Sequence, residues 1–216
     1  MAHILVINPN ASETCSAGIS AALDRFRFPD GPILEVATLH EGPPAIYSWR
    51  DWHAVVEPMC RLIQREPADA YIIACASDPG IEAARSVTPR PVFGIFRSAV
   101  AAAAARAERF GIIALVDSSL ARHRAALRAM GLLDRLAAEI PLNVAMETLL
   151  DPSAARHALI AAGMQLRDAG AETIILGCTG MAHHRTAVQA ETGLPVIEPA
   201  QAAAALAIAA VLGEAD

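Results

Sequence analysis

The chain has 216 residues, of which 54% are hydrophobic and 19% charged, with 17 basic and 23 acidic side chains giving a formal charge of −6 at pH 7. That composition supports a sizeable buried core and excludes long disordered stretches. The charges are scattered, with no basic cluster and no aromatic-plus-arginine stripe, so no nucleic-acid partner is expected.

The N-terminal stretch reads as a first strand, His3–Asn8, and lacks the basic head and long apolar segment of a signal peptide. It runs into Asn8-Pro9-Asn10, a strand-ending turn, and Ser12 then caps a helix over 12–25. Further strands are expected at Ile33–Thr38, 70–74, 92–95, 111–116, Thr173–Gly177 and Val196–Ile197. Helices fall between them at 49–64, 80–85, 98–109, 119–130, 153–169, 181–191 and 199–212. Asp151-Pro152-Ser153 opens one of these helices, and Gly131 and Gly170 close two others. The alanine-rich run from Ala99 to Ala105 is too short to span a bilayer, so no membrane partner is expected and the protein reads as soluble and cytoplasmic.

Short apolar strands without alternation indicate parallel sheets covered on both faces, and strand–helix alternation indicates α/β layers with right-handed crossovers. Two segments share one pattern. Ala70-Tyr71-Ile72-Ile73-Ala74 leads into Cys75, and Thr173-Ile174-Ile175-Leu176-Gly177 leads into Cys178; each is followed by small and hydroxylated residues, a helix, a proline and a short strand. This weak internal repeat predicts an α/β protein of two pseudo-symmetric lobes, each a mainly parallel sheet flanked by helices, with the active site in the cleft between them. Residues 1–96 plus 197–216 form the first lobe, carrying Cys75, and 97–196 the second, carrying Cys178; the last helix packs back on the first lobe.

A thiol at the end of such a strand sits where open α/β sheets bind ligands, and N–H groups of a following helix stabilise its thiolate. Two thiols so placed suit the two faces of one carbon acid, one removing a proton and the other returning it. The remaining cysteines, Cys15 and Cys60, lie in helical patterns, and no CxxC spacing occurs. The seven histidines include no i, i+4 pair of the kind a helical zinc site uses, so no metal is expected.

The chain resembles the aspartate/glutamate racemase superfamily, and within it the hydantoin and allantoin racemases. The resemblance is carried by Ile4 to Ser12, Glu41 to Ile46, Ala74-Cys75 with Asp78-Pro79-Gly80, Pro91 to Ile95, and Leu176 to Met181, in the family's order. It implies an isomerase that works without cofactor on a small molecule, with Cys75 and Cys178 as the acid/base pair. Asn8, Asn10, Ile46, Ala76, Ser77, Thr179 and Gly180 then surround the substrate, and a homo-oligomer is expected. The preferred substrate is a 5-substituted hydantoin or an allantoin-like cyclic ureide.

Two departures qualify that substrate. Ala76-Ser77 stands where hydantoin racemases usually have a phenylalanine-glycine pair, and Phe96-Arg97 where they commonly have alanine-glutamate. A guanidinium at Arg97 facing the substrate favours an anion over a neutral ring; a solvated helix start is the alternative for this residue. Racemisation of aspartate or glutamate, or isomerisation or decarboxylation of a small dicarboxylate, is therefore the rival on the same fold. A non-catalytic ligand-binding α/β protein is the rival from another class.

Overall fold

The computed structural model describes residues 1–151 and 153–213. Two compact units are present: Met1–Ile95 joined by the segment from Ala200 onward, and Phe96–Pro199.

The first unit holds the parallel strands β1 (His3–Asn8), β2 (Ile33–Thr38), β3 (Ala70–Ile73) and β4 (Val92–Gly94), in the spatial order β2-β1-β3-β4. Its helices are α1 (Glu13–Leu23), α2 (Trp49–Ala54), α3 (Val56–Arg65) and α4 (Ile81–Ser86). Alternate residues of β1 and β3 feed opposite layers. Ile4, Val6 and Ile72 pack with Ile19 and Leu23 of α1, while Leu5, Ile7, Tyr71 and Ile73 pack with Met59, Leu62 and Ile63 of α3 and Ile81 of α4. Each such side chain stabilises the fold by about 1.5–3 kcal/mol when fully buried. The first layer is completed by the last helix of the chain, α10 (Pro199–Gly213), through Ala200, Ala203, Ala204 and Ala207. That i, i+3, i+4, i+7 stripe of alanines lets the helix lie close to the sheet.

The second unit repeats the plan. Strands β5 (Phe110–Ala114), β6 (Leu136–Pro141), β7 (Thr173–Gly177) and β8 (Val196–Ile197) are parallel and ordered β6-β5-β7-β8. Between them run α5 (Ile95–Ala104, leading in from β4), α6 (Asp117–Ala129), α7 (Met146–Leu150), α8 (Arg156–Asp168) and α9 (Arg185–Thr192). Strand for strand the two orders are identical, so the two-lobe α/β architecture with parallel sheets is present. No helix among the described residues is long and apolar enough to cross a membrane.

Several elements differ from the sequence expectations. The helix over 49–64 is two helices, because Pro58 has no N–H to give the carbonyl of Ala54 and the chain is re-set at Val55. Helix α5 starts at Ile95, straight out of β4, and not at Ser98. The expected helix over 181–191 opens as a 3-10 turn, Thr179–His184, before α9 begins. Strand β6 and helix α7 have no counterpart in the sequence reading: β6 begins Leu-Ala-Ala and ends in Pro, a weak strand sequence tolerated at an edge. Of Asp151-Pro152-Ser153, Pro152 lies outside the described residues; α8 begins at Arg156, and Asp151 Oδ1 instead accepts from the N–H of Ser153 at 2.8 Å. Ser12 caps α1 as expected, accepting from the N–H of Cys15, and Gly131 and Gly170 both adopt positive φ.

Candidate active site

Cys75 lies two residues past β3, half-buried, in a turn closed by the Asp78 N–H donating to the Cys75 carbonyl at 2.9 Å. Its Sγ stands 3.6 Å from Ser77 Oγ. The Ser77 carbonyl accepts the indole N–H of Trp52, on α2, at 3.0 Å. Ala76 and Ser77 are buried, and Asp78 is wholly so, at a φ of 46°. Gly80 comes next but one, with φ 62°, and a Cβ there would meet both methyls of Val56 at 2.9 Å. The helix expected over 80–85 is present as Ile81–Ser86, and its N–H groups do not adjoin Cys75. The thiol leads instead into a braced turn, whose N–H groups are not those of a helix.

Cys178 directly succeeds β7 in extended conformation and is buried. Gly177 before it is required by the sheet: a Cβ would sit 2.5 Å from the Ile113 carbonyl oxygen on β5. The 3-10 turn begins at Thr179, and Met181 N–H donates to the Cys178 carbonyl at 3.1 Å. Thr179 is half-buried and Gly180 buried, with Leu149 Cδ2 and Met146 Sδ of α7 at 3.1 and 3.4 Å from where a Gly180 Cβ would stand. Cys75 and Cys178 therefore occupy equivalent places, each beyond the C-terminal end of the third strand in its sheet order.

Asn8, at the end of β1, is fully buried. Its Nδ2 donates to Asn10 Oδ1, the Ser12 carbonyl and Ser16 Oγ at 3.0–3.1 Å, and its Oδ1 accepts from the Asn10 N–H at 3.3 Å. This amide fixes the β1–α1 loop. Asn10 is half-buried, and its Oδ1 also accepts from the Ser12 N–H. The loop after β2 crosses it: Ala11 N–H donates to the Pro43 carbonyl, and Gly42 lies too close to Pro9 for any side chain. Ile46, farther along that loop, packs partly buried against the α3 layer.

Arg97 falls in the first turn of α5 and is half-buried. Phe96 before it is fully buried, its ring stacked on His123 of α6 at 4.6 Å between centroids and 15° between planes. His123 Nδ1 is hydrogen-bonded in turn to Glu139 Oε1 on β6, both side chains being buried.

Beyond Cys178, the His183 and His184 rings lie against each other, centroids 4.0 Å apart and planes tilted by 43°. Burial holds His184 below the ordinary imidazole value, and His183 and Arg156 push it the same way against a hydrogen bond to the Leu149 backbone. Burial also lowers His183, opposed by Asp151. The Asp151 carboxyl is itself lowered, chiefly by the Ser153 N–H it accepts. Burial raises the Cys60 thiol, with Glu57 adding to the effect. Among the described residues, no group of three or more His, Cys, Asp or Glu is placed to hold a metal ion.

The sequence pattern described as Asp/Glu/Hydantoin racemase matches residues 4–207, nearly the whole chain. The chain belongs to the Asp/Glu/hydantoin racemase family. This racemase, an isomerase by that membership, is 32% identical over 212 residues to a hydantoin racemase of Paenarthrobacter aurescens, covering 95% of this chain and 89% of that one. Its fold is similar to that of an allantoin racemase from Klebsiella pneumoniae, with a TM-score of 0.92 at 28% identity over 99% of this chain and 89% of the other. An allantoin racemase from Pseudomonas fluorescens gives a TM-score of 0.91 at 25% identity, covering 98% and 92% of the two chains.

Within the racemase fold, three of these residues carry no signal legible in the local sequence. Trp52 is visible only as an aromatic in a helical pattern, and its bond to Ser77 spans 25 positions. His123 and Glu139 are joined through β6, the strand that local sequence conceals.

Proposed function

We propose that this racemase inverts a 5-substituted hydantoin or an allantoin-like cyclic ureide by two-base proton transfer between Cys75 and Cys178. The observation that carries the reading is the equivalent placement of the two thiols, each just past the third strand of an identically ordered parallel sheet. The similarity to hydantoin and allantoin racemases supports the substrate class. One cysteine, as thiolate, removes the proton α to the ring carbonyl; the other, as thiol, delivers a proton to the opposite face. Exchanging the protonation states runs the reaction in reverse.

A carbon acid of this kind needs its enolate stabilised as well as a base. Backbone N–H groups at Ala76–Ser77 and Thr179–Gly180 are the donors for that charge in this reading. Asn10, Ile46 and Arg97 contact the substrate, and Asn8 acts through Asn10, whose loop its amide holds. The half-buried position of Arg97 favours a second reading, an acidic amino acid or small dicarboxylate as substrate, since a guanidinium held by its helix binds a carboxylate in bidentate fashion.

The test is α-proton exchange in deuterium oxide, monitored by NMR and optical rotation, on single enantiomers of a 5-alkyl hydantoin, allantoin, aspartate and glutamate. Exchange with loss of rotation on the cyclic ureides is the expected result. Exchange confined to the amino acids selects the second reading, and exchange on none of them removes both.

A further inference from the structure

We infer that Ser77 is a positioning residue for the Cys75 thiolate: its hydroxyl donates to Sγ and stabilises negative charge there, while the Trp52 indole holds the serine in place. The inference rests on the proposed use of Cys75 as acid and base, and adds that the Ser77 hydroxyl favours the charged form of this thiol over the neutral one.

The geometry is local and over-determined. Sγ and Oγ are 3.6 Å apart, within reach of a sulfur hydrogen bond. The backbone around Ser77 is tied on both sides, by the Asp78 N–H on the Cys75 carbonyl at 2.9 Å and by the Trp52 Nε1–H on the Ser77 carbonyl at 3.0 Å. Trp52 is itself wedged, edge-on, against Trp49 at 5.6 Å and His53 at 4.9 Å. Ser77 is 7% exposed, so water competes little for its hydroxyl.

A neutral thiol is a weak donor and a weak acceptor, whereas a thiolate is a strong acceptor. The hydroxyl therefore stabilises the charged form more than the neutral one and lowers the thiol pKa. The wholly buried Asp78 sits in the same turn, where a carboxylate charge acts in the opposite sense. Other charged groups on the neighbouring helices are Arg50, Asp51 and His53 of α2, Glu57, Arg61 and Arg65 of α3, and Glu82 and Arg85 of α4. Substitution at Ser77 leaves every one of them in place, so a comparison of variants isolates the hydroxyl.

The experiment is the pH dependence of Cys75 alkylation by iodoacetamide in the full-length protein, read by mass spectrometry of the Cys75 peptide. Cys15 and Cys60 are buried and serve as internal controls for folding. In Ser77→Ala the midpoint is expected to rise by about one pH unit, and in Ser77→Thr, which keeps a hydroxyl, to return towards the parent value. Trp52→Phe, which removes only the indole donor, gives a smaller rise. The midpoint and not a single rate is the readout, because a more basic thiolate is intrinsically about threefold more reactive per unit of thiol pKa and masks part of the loss. An unchanged midpoint in folded Ser77→Ala overturns the inference, as does an equal rise in Ser77→Thr. Because alkylation requires no turnover, this result stands apart from the substrate assay: a shifted midpoint in a protein that exchanges no α-proton rejects the proposed function and leaves the Ser77–Cys75 interaction in place.

Discussion

Asp78 lays its carboxylate against the Cα of Gly94, so closely that a Cβ on that glycine would overlap it. The contact ties the turn after β3 to the end of β4. It also supports the left-handed conformation of Asp78, which a non-glycine residue adopts at a cost of about 1–3 kcal/mol. Gly94→Ala drives Asp78 from this seat, and the Asp78 N–H that closes on the Cys75 carbonyl moves with it. A destabilisation of about 1–3 kcal/mol is expected in urea unfolding. Racemisation is expected to fall on the order of 100-fold, as a reacting group displaced by about an ångström would cause. A variant that melts like the parent and turns over at the parental rate refutes the link.

Cys75→Ser and Cys178→Ser test the two-thiol scheme. Each serine preserves shape while replacing a thiol by a hydroxyl far too weakly acidic to take its place at neutral pH. Each variant is expected to lose racemisation, measured by optical rotation, with an unfolding midpoint close to the parent's. Full activity in either one contradicts the scheme.

The legible parts of this protein are those whose structure is set locally. Strands β3 and β7 are short runs without polar alternation because both faces of each are buried, and the sequence shows this along with the cysteine that follows each. Strand β6 is hidden because Ala137, Ala138 and Pro141 favour no strand; only pairing with β5, with a shift in register at Phe110 and Gly111, makes it one. Its absence from the sequence reading also conceals Glu139 as the partner of His123. The braced Cys75 turn escapes for a similar reason: the residues after the thiol read only as a short lead into a helix, but Trp52 and Gly94, both distant in sequence, determine the turn's shape.

Phe96 shows how a departure from the family pattern is accommodated. Its ring is fully buried against the His123 imidazole, one residue before Arg97. Phe96→Ala removes the stack and leaves a cavity, a change expected to lower stability by about 3–5 kcal/mol in chemical denaturation. Phe96→Leu, which refills much of the volume, is expected to recover more than half of that. Equal losses in the two variants show that the stack, and not the volume, is what matters there.

His184 gives the fold a pH dependence of predictable sign. Its imidazole is buried to 2% exposure, one ring nitrogen is without a partner among the described residues, and burial lowers its affinity for a proton, with His183 and Arg156 adding to the effect. The opposing group is the Leu149 backbone, through its hydrogen bond to His184. In the unfolded chain the same side chain titrates near its ordinary value of 6.5. As pH falls through that value, the unfolded state binds the proton first and is favoured, so stability declines from there down to the lower pKa of the folded state. Above 6.5 both states are neutral and the group adds no slope. Urea midpoints measured at about pH 7.5 and about pH 5.5 are therefore expected to be lower at the acid end. In His184→Asn, which keeps a donor for Leu149 but does not titrate, the difference between the two midpoints shrinks. An undiminished difference in that variant assigns the slope to other groups, His183 first among them, since its own lowered pKa acts with the same sign.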